Sequence, residues 1–372
     1  MSSIIDAFKE MDRKMLLLIV GGLGGLILLI IILSILGKST GGAKISYDDV
    51  EKKLVVAAQK YYSVNSGFLP REEKSSSTVS LSNLVEGEYI KPLNKYLRDG
   101  SSCDAKVVVT KTALDYDYIP YLYCGDKYTS IELYKKILED NVVVGNGAGL
   151  YNLAGEKTFR GEVKNNYVLL NKKNWRILRI DENNNIVLMS MFKTETAVWD
   201  DRYNSETNTS DGINDYNVSR IKDYVNSKYY SGDLLTDSEK SKVALSKACI
   251  GSRSKNAFGS LRSIECSELS DEELPIRLLT VGEYLTASID PNCKTIEDRG
   301  CTNYNFMHDF SQSFWTITKG QKNSSYIYSI NTSGVLEVRA NGSRQVRYVI
   351  LLSPKAFYLS GSGTYEDPYI IK

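Results

Sequence analysis

Carboxylate side chains gather in one polar stretch near the middle of the 372-residue chain. Asp200 and Asp201 directly follow Trp199, and further acidic residues come soon after them. Carboxylate oxygens are the ligands that Ca²⁺ prefers, and a neighbouring tryptophan ring can stack on a sugar. The stretch therefore predicts a sugar-binding or calcium-binding site. The later acidic residues are Glu206, Asp211 and Asp215, and the candidate ligand-binding residues are Trp199, Asp200, Asp201 and Asp211.

The spacing of these residues leaves other interpretations open. An EF-hand loop requires a glycine at its sixth position, and this stretch has none there. A solvated polar loop is one alternative, and a core position for Trp199 is another. We therefore assign no metal and no cofactor, and calcium stays as an alternative.

His308 is the single histidine of the chain, and Asp309, Ser311 and Ser313 lie close to it in sequence. Serine, histidine and aspartate can form a nucleophilic device, but no serine here lies in a nucleophile-elbow motif. A packed or surface histidine is the simpler interpretation, so we predict no catalytic residue. A carboxylate-based enzyme that acts on surface polymers remains an alternative.

Six cysteines lie beyond residue 37, and none belongs to a C-x-x-C motif. With one histidine in the chain, a zinc site would need thiolates from distant segments, so no metal is predicted. The cysteines form three pairs that are local in sequence, which favours disulfides in an oxidising compartment. Six reduced, buried cysteines in a cytosolic protein are the alternative. The favoured pairs are Cys103 with Cys124, Cys249 with Cys266, and Cys293 with Cys301.

Residues 15–37 form a run of 23 residues without a charge. As a helix this run would be about 34 Å long, enough to cross a hydrocarbon core of about 30 Å, whereas the apolar part of a signal peptide usually has about 7 to 15 residues. We therefore expect an uncleaved transmembrane helix in contact with membrane lipid. Gly21 and Gly25 would allow weak pairing of two such helices in a homo-oligomer.

Basic residues flank residues 15–37 on both sides, so the positive-inside rule does not decide the orientation. Long domains translocate largely regardless of their charge, and the cysteines favour the exterior. We predict a single-pass cell-membrane protein with residues 1–14 in the cytoplasm, residues 38–45 as a linker and an extracellular C-terminus. The net charge of +1 provides no basic field for nucleic acid.

Residues 46–129 have the pattern of a helix followed by a small sheet. Ser46 and Asp49 resemble a capping box, and apolar residues recur at helical spacing after them. A short helix is predicted at 82–87, and strands are predicted at 104–110 and 116–124. This pattern predicts a small α/β domain.

Residues 130–145 predict a helical connector, and residues 146–372 are rich in strand-like segments. A three-stranded meander and a second group of strands near the C-terminus enclose two predicted helices. The fold class is therefore α+β, with the first and last strands of this domain paired in one sheet. The predicted strands are 167–170, 175–180, 186–189, 313–318, 325–330 and 347–352, and the predicted helices are 219–230 and 280–287.

The first part of the chain has an apolar anchor followed by the segments "DDVEKKLVVAAQKYY", "LSNLVEGEYIKPL", "CDAKVVVTK" and "YIPYLYCGDKY". This order of segments resembles the pilin-like ectodomain of membrane-anchored surface proteins of low-GC Gram-positive bacteria. The resemblance covers about residues 1–130. It implies a pilin-like helix-plus-sheet domain, and as an alternative function a pseudopilin-like subunit of an export or surface apparatus.

A second resemblance depends on the segments "GLYNLAGEKTFRGEVKNNYVLLNKKNWRILRI", "IRLLTVGEYLTAS", "SFWTITKG", "VRYVILL" and "SGSGTYEDPYIIK". They resemble a domain of unknown function in Gram-positive surface proteins, which is similar to the C-type-lectin-like fold shared with formylglycine-generating enzymes. Those enzymes bind copper through a late cysteine pair, and this chain has no cysteine after Cys301. The resemblance implies an extracellular binding or adhesion protein that recognises a surface glycan or protein through residues 146–372.

Overall fold

The structure is a computed structural model that describes residues 44–73, 75–98, 100–112, 115–257, 262–309 and 311–372. The chain divides into two compact units, Met1–Thr129 and Ser130–Lys372. The predicted cytoplasmic segment, the predicted anchor at residues 15–37 with Gly21 and Gly25, and most of the predicted linker lie outside the described residues. None of the helices within those ranges combines the length and the apolar character that crossing a membrane requires.

In the first unit a helix packs on one face of a three-stranded antiparallel sheet. Helix α1 (Tyr47–Val64) starts after Ser46, whose hydroxyl oxygen accepts a hydrogen bond from the backbone N–H of Asp49 at 3.1 Å. This cap satisfies one of the N–H groups that a helix start leaves without a partner. Val50 and Leu54 on its apolar side are fully buried in the core of the unit. The remaining elements are β1 (Ser76–Ser80), α2 (Leu81–Glu86), β2 (Asp104–Lys111) and β3 (Tyr116–Tyr123).

The sheet has the order β1, β2, β3, and a disulfide closes its open end. Cys103–Cys124 joins the residue before β2 to the residue after β3, where Asp104 and Tyr123 are paired. The predicted helix and both predicted strands are confirmed. Strand β1 is not predicted, because this segment is rich in serine and buries a single apolar side chain, Val79.

A tyrosine anchors the first turn of α1 in the first unit. The ring of Tyr128 stacks on Tyr47 with centroids 4.4 Å apart. Its hydroxyl donates to Oε1 of Glu51 at 2.9 Å. Burial, together with the carboxylate of Glu51, raises the pKa of Tyr128, so the phenol stays protonated and remains a donor.

The second unit holds sixteen strands and four α-helices in the part of the chain that the structure describes. The strands are β4 (Gly149–Leu153), β5 (Glu156–Arg160), β6 (Tyr167–Leu170), β7 (Lys173–Ile180), β8 (Ile186–Ser190), β9 (Thr196–Val198), β10 (Ser246–Cys249), β11 (Leu269–Leu274), β12 (Ile276–Leu278), β13 (Phe314–Lys319), β14 (Tyr326–Asn331), β15 (Gly334–Arg339), β16 (Ser343–Gln345), β17 (Tyr348–Leu352), β18 (Tyr358–Ser360) and β19 (Tyr369–Ile371). The helices are α3 (Leu133–Asp140), α4 (Arg220–Tyr230), α5 (Asp237–Lys240) and α6 (Val281–Ala287).

The larger sheet of this unit has nine strands. Its main path runs β12, β17, β8, β7, β6, β19, β18, and the β4–β5 hairpin joins it through β7. Strand β19 lies parallel to β6, with Tyr369 opposite Val168. This confirms the prediction that the first and last strands of the domain share one sheet. The α+β class is also confirmed, and sheets dominate it.

A second sheet of five strands has the order β15, β14, β13, β16, β9. The predicted strands near residues 313–330 lie in this sheet, whereas β17 belongs to the nine-stranded one. A two-stranded sheet pairs β10 with β11, and the disulfide Cys249–Cys266 lies at its end. One continuous core of buried apolar side chains includes Trp175, Trp199 and Trp315.

Helix α3 belongs to the second unit and does not act as a separate connector. Leu133 and Ile137 are fully buried in the core of that unit. The backbone N–H of Leu133 also donates to the carbonyl of Ala356 at 2.8 Å. Residues 130–145, predicted as a helical connector, thus contain a helix whose apolar face is covered by the domain that follows it.

Buried ion pairs fix helix α6 in the core. Thr280 and Glu283 form the predicted capping box. Glu283 is also bound by two guanidinium groups, with Nη1 of Arg179 and Nη2 of Arg277 each 2.6 Å from its Oε1. Burial of a charge is costly unless the charge is paired and hydrogen-bonded. The carboxylate of Glu283 meets both conditions and stabilises the position of α6 in the core.

Candidate functional site

Trp199 lies in the core of the second unit. Its side chain is fully buried, and its Nε1–H donates to the backbone carbonyl of Thr316 at 3.1 Å. The ring of Tyr216 lies beside it, with centroids 6.3 Å apart. This corrects the expectation that Trp199 stacks on a ligand, since both faces of the indole are covered by protein.

Asp200 is a fully buried carboxylate that ties a surface loop to the start of α4. Its oxygens accept hydrogen bonds from the backbone N–H groups of Arg202, Ile213 and Arg220. They also accept from the guanidinium of Arg202, with a closest distance of 2.6 Å. Burial raises the pKa of Asp200, but the bonds from Arg202 and from the backbone outweigh it and lower that pKa overall. Asp200 is therefore a structural anion rather than a ligand or a proton carrier.

Asp201 and Asp211, in contrast, reach the surface at different places. Asp201 forms an exposed ion pair with Nη1 of Arg220 at 2.6 Å. Asp211 lies 3.4 Å from Nε of Arg339, and its other oxygen accepts from Nδ2 of Asn341 at 3.0 Å. The structure thus does not bring the four candidates into one site, and Asp211 alone belongs to a polar surface cluster.

The acidic stretch also does not gather into a metal site. Over the described ranges, no group of three or more His, Cys, Asp or Glu side chains is placed to hold a metal ion. Among the described residues, no such group supports the calcium alternative.

The loop that carries Asp211 is held by a buried amide. Asn204 is 3% exposed and its Nδ2 donates to Ser325 Oγ at 2.9 Å and to the carbonyl of Gly212 at 3.0 Å. Its backbone N–H donates to the carbonyl of Thr209 at 2.8 Å, which closes a short surface loop. A buried polar group with all its hydrogen bonds made is a rigid support.

A second buried amide fastens the same loop to the turn before β14. Nδ2 of Asn214 donates to the carbonyl oxygens of Asn323 and Tyr326, the latter at 2.7 Å. The backbone N–H of Asn214 donates to the carbonyl of Ser324, also at 2.7 Å. Three loops therefore meet at the start of β14 and the end of β15: residues 203–214, residues 320–326 and residues 339–343.

An exposed cluster of polar side chains lies where these loops meet, and we call it the Tyr326 patch. Tyr326 is directly opposite Arg339 in the pairing of β14 with β15. The Nζ of Lys322 lies 4.6 Å from the centroid of the Tyr326 ring. Arg339 and, next, Lys322 lower the pKa of the Tyr326 hydroxyl below its ordinary value of 10.0. The members of the patch are Asp211, Lys322, Tyr326, Arg339 and Asn341.

Glu337 lies beside the patch, and both of its carboxylate oxygens already have partners. Its Oε1 accepts hydrogen bonds from the backbone N–H groups of Gln321 at 2.6 Å and Lys322 at 2.7 Å. Its Oε2 lies 3.6 Å from Nζ of Lys255, and the side chain is 7% exposed. Glu337 shapes the turn that presents Lys322 and leaves little negative charge at the surface.

His308 is buried away from this patch. Its Nδ1 lies 2.7 Å from the hydroxyl of Tyr284. The neighbouring Asp309 is bound by Arg347 at 2.8 Å and by the hydroxyl of Ser311 at 2.6 Å. Aspartate and histidine thus have separate partners and form no relay with each other.

Lys322, Tyr326 and Arg339 are not among the predicted site residues. The signal for Tyr326 and Arg339 is the segment 326–339, where two strand-like runs flank Thr332 and Ser333. A two-residue turn at that position places Tyr326 opposite Arg339 when residues are counted outward from it. The approach of Lys322 and Asp211 has no sequence signal, because it depends on loops from distant parts of the chain.

The fold and the patch define an α+β protein with three disulfides and an exposed polar and aromatic surface. No protein-family model, no curated protein and no solved structure matches this chain. A function for this chain is therefore inferred from its own residues.

Proposed function

We propose that this chain is a membrane-anchored extracellular binding protein that recognises a surface glycan through the Tyr326 patch. The three disulfides of the structure are typical of extracellular or secreted proteins. The apolar run at residues 15–37 supports an anchor by its length and composition. The resemblance of residues 146–372 to C-type-lectin-like domains is part of the same proposal.

The main observation behind the proposal is that buried, hydrogen-bonded amides hold the loops of the Tyr326 patch, which presents polar and aromatic side chains together. The side-chain amides of Asn204 and Asn214 are buried and donate hydrogen bonds that hold the loops of the patch. Above them, Asp211 and Asn341 offer an acceptor and an amide, and Tyr326 offers a ring. Sugar hydroxyls need both donors and acceptors, and the apolar face of a sugar ring packs on an aromatic side chain. Polar groups fixed by such a support lose little entropy when a ligand binds.

A glycan array probed with the oxidised full chain in mild detergent tests this function. We expect binding to a restricted set of glycans, weakened about tenfold by Tyr326→Ala, which removes the ring. Tyr230→Ala is the matched control, because Tyr230 is 69% exposed at the end of α4 and is not a member of the patch. Folded protein that binds no glycan, or a Tyr326→Ala variant that binds like the wild type, would overturn the proposal. A pull-down in parallel tests the alternative of a protein ligand.

A second candidate function, a pseudopilin-like subunit of an export apparatus, is favoured by the first unit. There an 18-residue helix, which follows the predicted anchor closely in sequence, covers one face of a small antiparallel sheet. Co-purification of a filament or secretion complex with the full chain would favour it. A carboxylate enzyme is not proposed, because Asp200 is buried and saturated.

A further inference from the structure

Two cationic side chains lie beside Tyr326 in the Tyr326 patch. Arg339 is directly opposite Tyr326 on the paired strand, and Nζ of Lys322, from the preceding turn, lies 4.6 Å from the centroid of the Tyr326 ring. Arg339 and, next, Lys322 lower the pKa of the hydroxyl of this partly exposed tyrosine. Positive charge therefore lies beside Tyr326, and the Arg339 side chain is 59% exposed.

The carboxylates nearby do not cancel this charge at the surface. Glu337 is 7% exposed and is satisfied by two backbone N–H groups and by Lys255. Asp211 is 18% exposed and approaches Arg339 at Nε, 3.4 Å away. Its other oxygen is occupied by Asn341. The exposed charges at this point are consequently those of Lys322 and Arg339.

We propose that the Tyr326 patch is an oxyanion receptor, so that the glycan it binds carries carboxylate or phosphate groups. This inference rests on the proposed function for the glycan, and on the convergence of Lys322, Tyr326 and Arg339 for the anion. Arg339 supplies a planar donor suited to two oxygens, Lys322 supplies a second charge, and the Tyr326 hydroxyl supplies a third donor. Asp211 orients the guanidinium through Nε.

The test compares three polymers for binding to the oxidised full chain in mild detergent. Polygalacturonate carries carboxylates, poly(glycerol phosphate) carries phosphodiesters, and dextran carries no charge. We expect one or both anionic polymers to bind, with affinity that falls as salt is raised, and dextran not to bind. The preferred anionic polymer identifies whether carboxylate or phosphate is the natural group.

Charge variants then locate the binding. Arg339→Gln and Lys322→Gln should each weaken binding of the anionic polymer about tenfold, while Arg339→Lys should retain part of it. Lys164→Gln removes one exposed positive charge from a loop of the nine-stranded sheet region and should leave binding unchanged. Thermal unfolding of each variant confirms that the fold is kept.

The outcomes separate the two proposals. Array glycans that are neutral, or anionic polymers that bind Arg339→Gln and Lys322→Gln as well as the wild type, would overturn the oxyanion inference and leave glycan recognition standing. Absence of binding to any glycan or polymer by folded protein would remove the proposed function and this inference together.

Discussion

The hydroxyl of Tyr284, on helix α6, lies 2.7 Å from Nδ1 of the single histidine, His308. His308 is 8% exposed, and burial lowers its pKa below the ordinary 6.5. A neutral imidazole can accept a hydrogen bond from the Tyr284 hydroxyl at Nδ1, whereas an imidazolium cannot. The buried pair thus depends on His308 staying uncharged.

Stability of the second unit should therefore fall as His308 is forced to protonate. Because the pKa of His308 in the folded state lies below 6.5, the unfolded chain takes up the proton first as pH falls. The contribution of neutral His308 to the free energy of unfolding is therefore complete above pH 6.5. It is lost as pH drops from 6.5 toward the pKa of the folded state. Urea unfolding between about pH 7.5 and 5.5, followed by tryptophan fluorescence, measures this loss. All three tryptophans lie in the second unit.

His308→Gln supplies the control, since glutamine keeps an acceptor for Tyr284 and does not titrate. The variant should lose less stability over the same pH range than the wild type. Equal losses in both proteins would show that other groups cause the dependence.

Asp200 and Asp201 are neighbours in sequence with opposite environments, and their asparagine variants should differ accordingly. Asp200→Asn should lower the free energy of unfolding by about 3 kcal/mol, because it breaks a buried, multiply bonded ion pair with Arg202. Asp201→Asn removes an exposed pair with Arg220 and should cost less than about 1 kcal/mol. Chemical denaturation of the two variants checks the difference, and similar losses would refute the structural role given to Asp200.

Local patterns in the sequence predict much of this fold, because the forces behind them are local. The capping box at Thr280 and Glu283 marks the start of α6, and three short apolar segments separated by turn residues mark β6 to β8. The three disulfides follow the sequence-local pairing, with separations of 21, 17 and 8 residues. Short loops are the easiest to close, so local pairing is a good first expectation.

The site is harder to predict, because burial of a polar residue is decided by distant segments. Asp200 looks like a ligand in sequence and is instead enclosed by backbone N–H groups that come from Ile213 and Arg220. Trp199 is covered by the strand that holds Thr316. The Tyr326 patch likewise needs Asp211 and Arg339 to meet across more than a hundred residues of sequence, which no local pattern encodes.

Gly212 should tolerate substitution much less well than Gly147. Both glycines have positive φ, +87° for Gly212 and +72° for Gly147. A Cβ on Gly212 would lie 2.1 Å from the carbonyl oxygen of Asp200, whereas a Cβ on Gly147 would have no atom within 4 Å. Gly147→Ala should cost about 1 kcal/mol for the backbone alone. Gly212→Ala should cost about 2 kcal/mol more because of the contact. Thermal unfolding compares them, and equal melting temperatures would contradict the close approach.

All six cysteines should resist alkylation in the native oxidised protein. The structure pairs each of them in a disulfide. Mass spectrometry after treatment with iodoacetamide should show no added groups before reduction and six after reduction and unfolding. Protein made in an oxidising compartment should also melt higher than the same protein kept reduced, because disulfides restrict the unfolded chain. Alkylation of any cysteine before reduction would count against the extracellular assignment.

The hydroxyl of Tyr326 should ionise at a lower pH than that of an ordinary tyrosine. Arg339 and Lys322 stabilise the phenolate and lower the pKa below 10.0. NMR titration of tyrosine ring ¹³Cζ signals, assigned with Tyr326→Phe, measures this value directly. Arg339→Gln should raise the pKa of Tyr326 back toward 10.0, and Lys322→Gln should raise it less, because Arg339 makes the larger contribution. Lys164→Gln should leave it unchanged, and a Tyr326 that titrates normally in the wild type would show that the two cations do not converge on its hydroxyl.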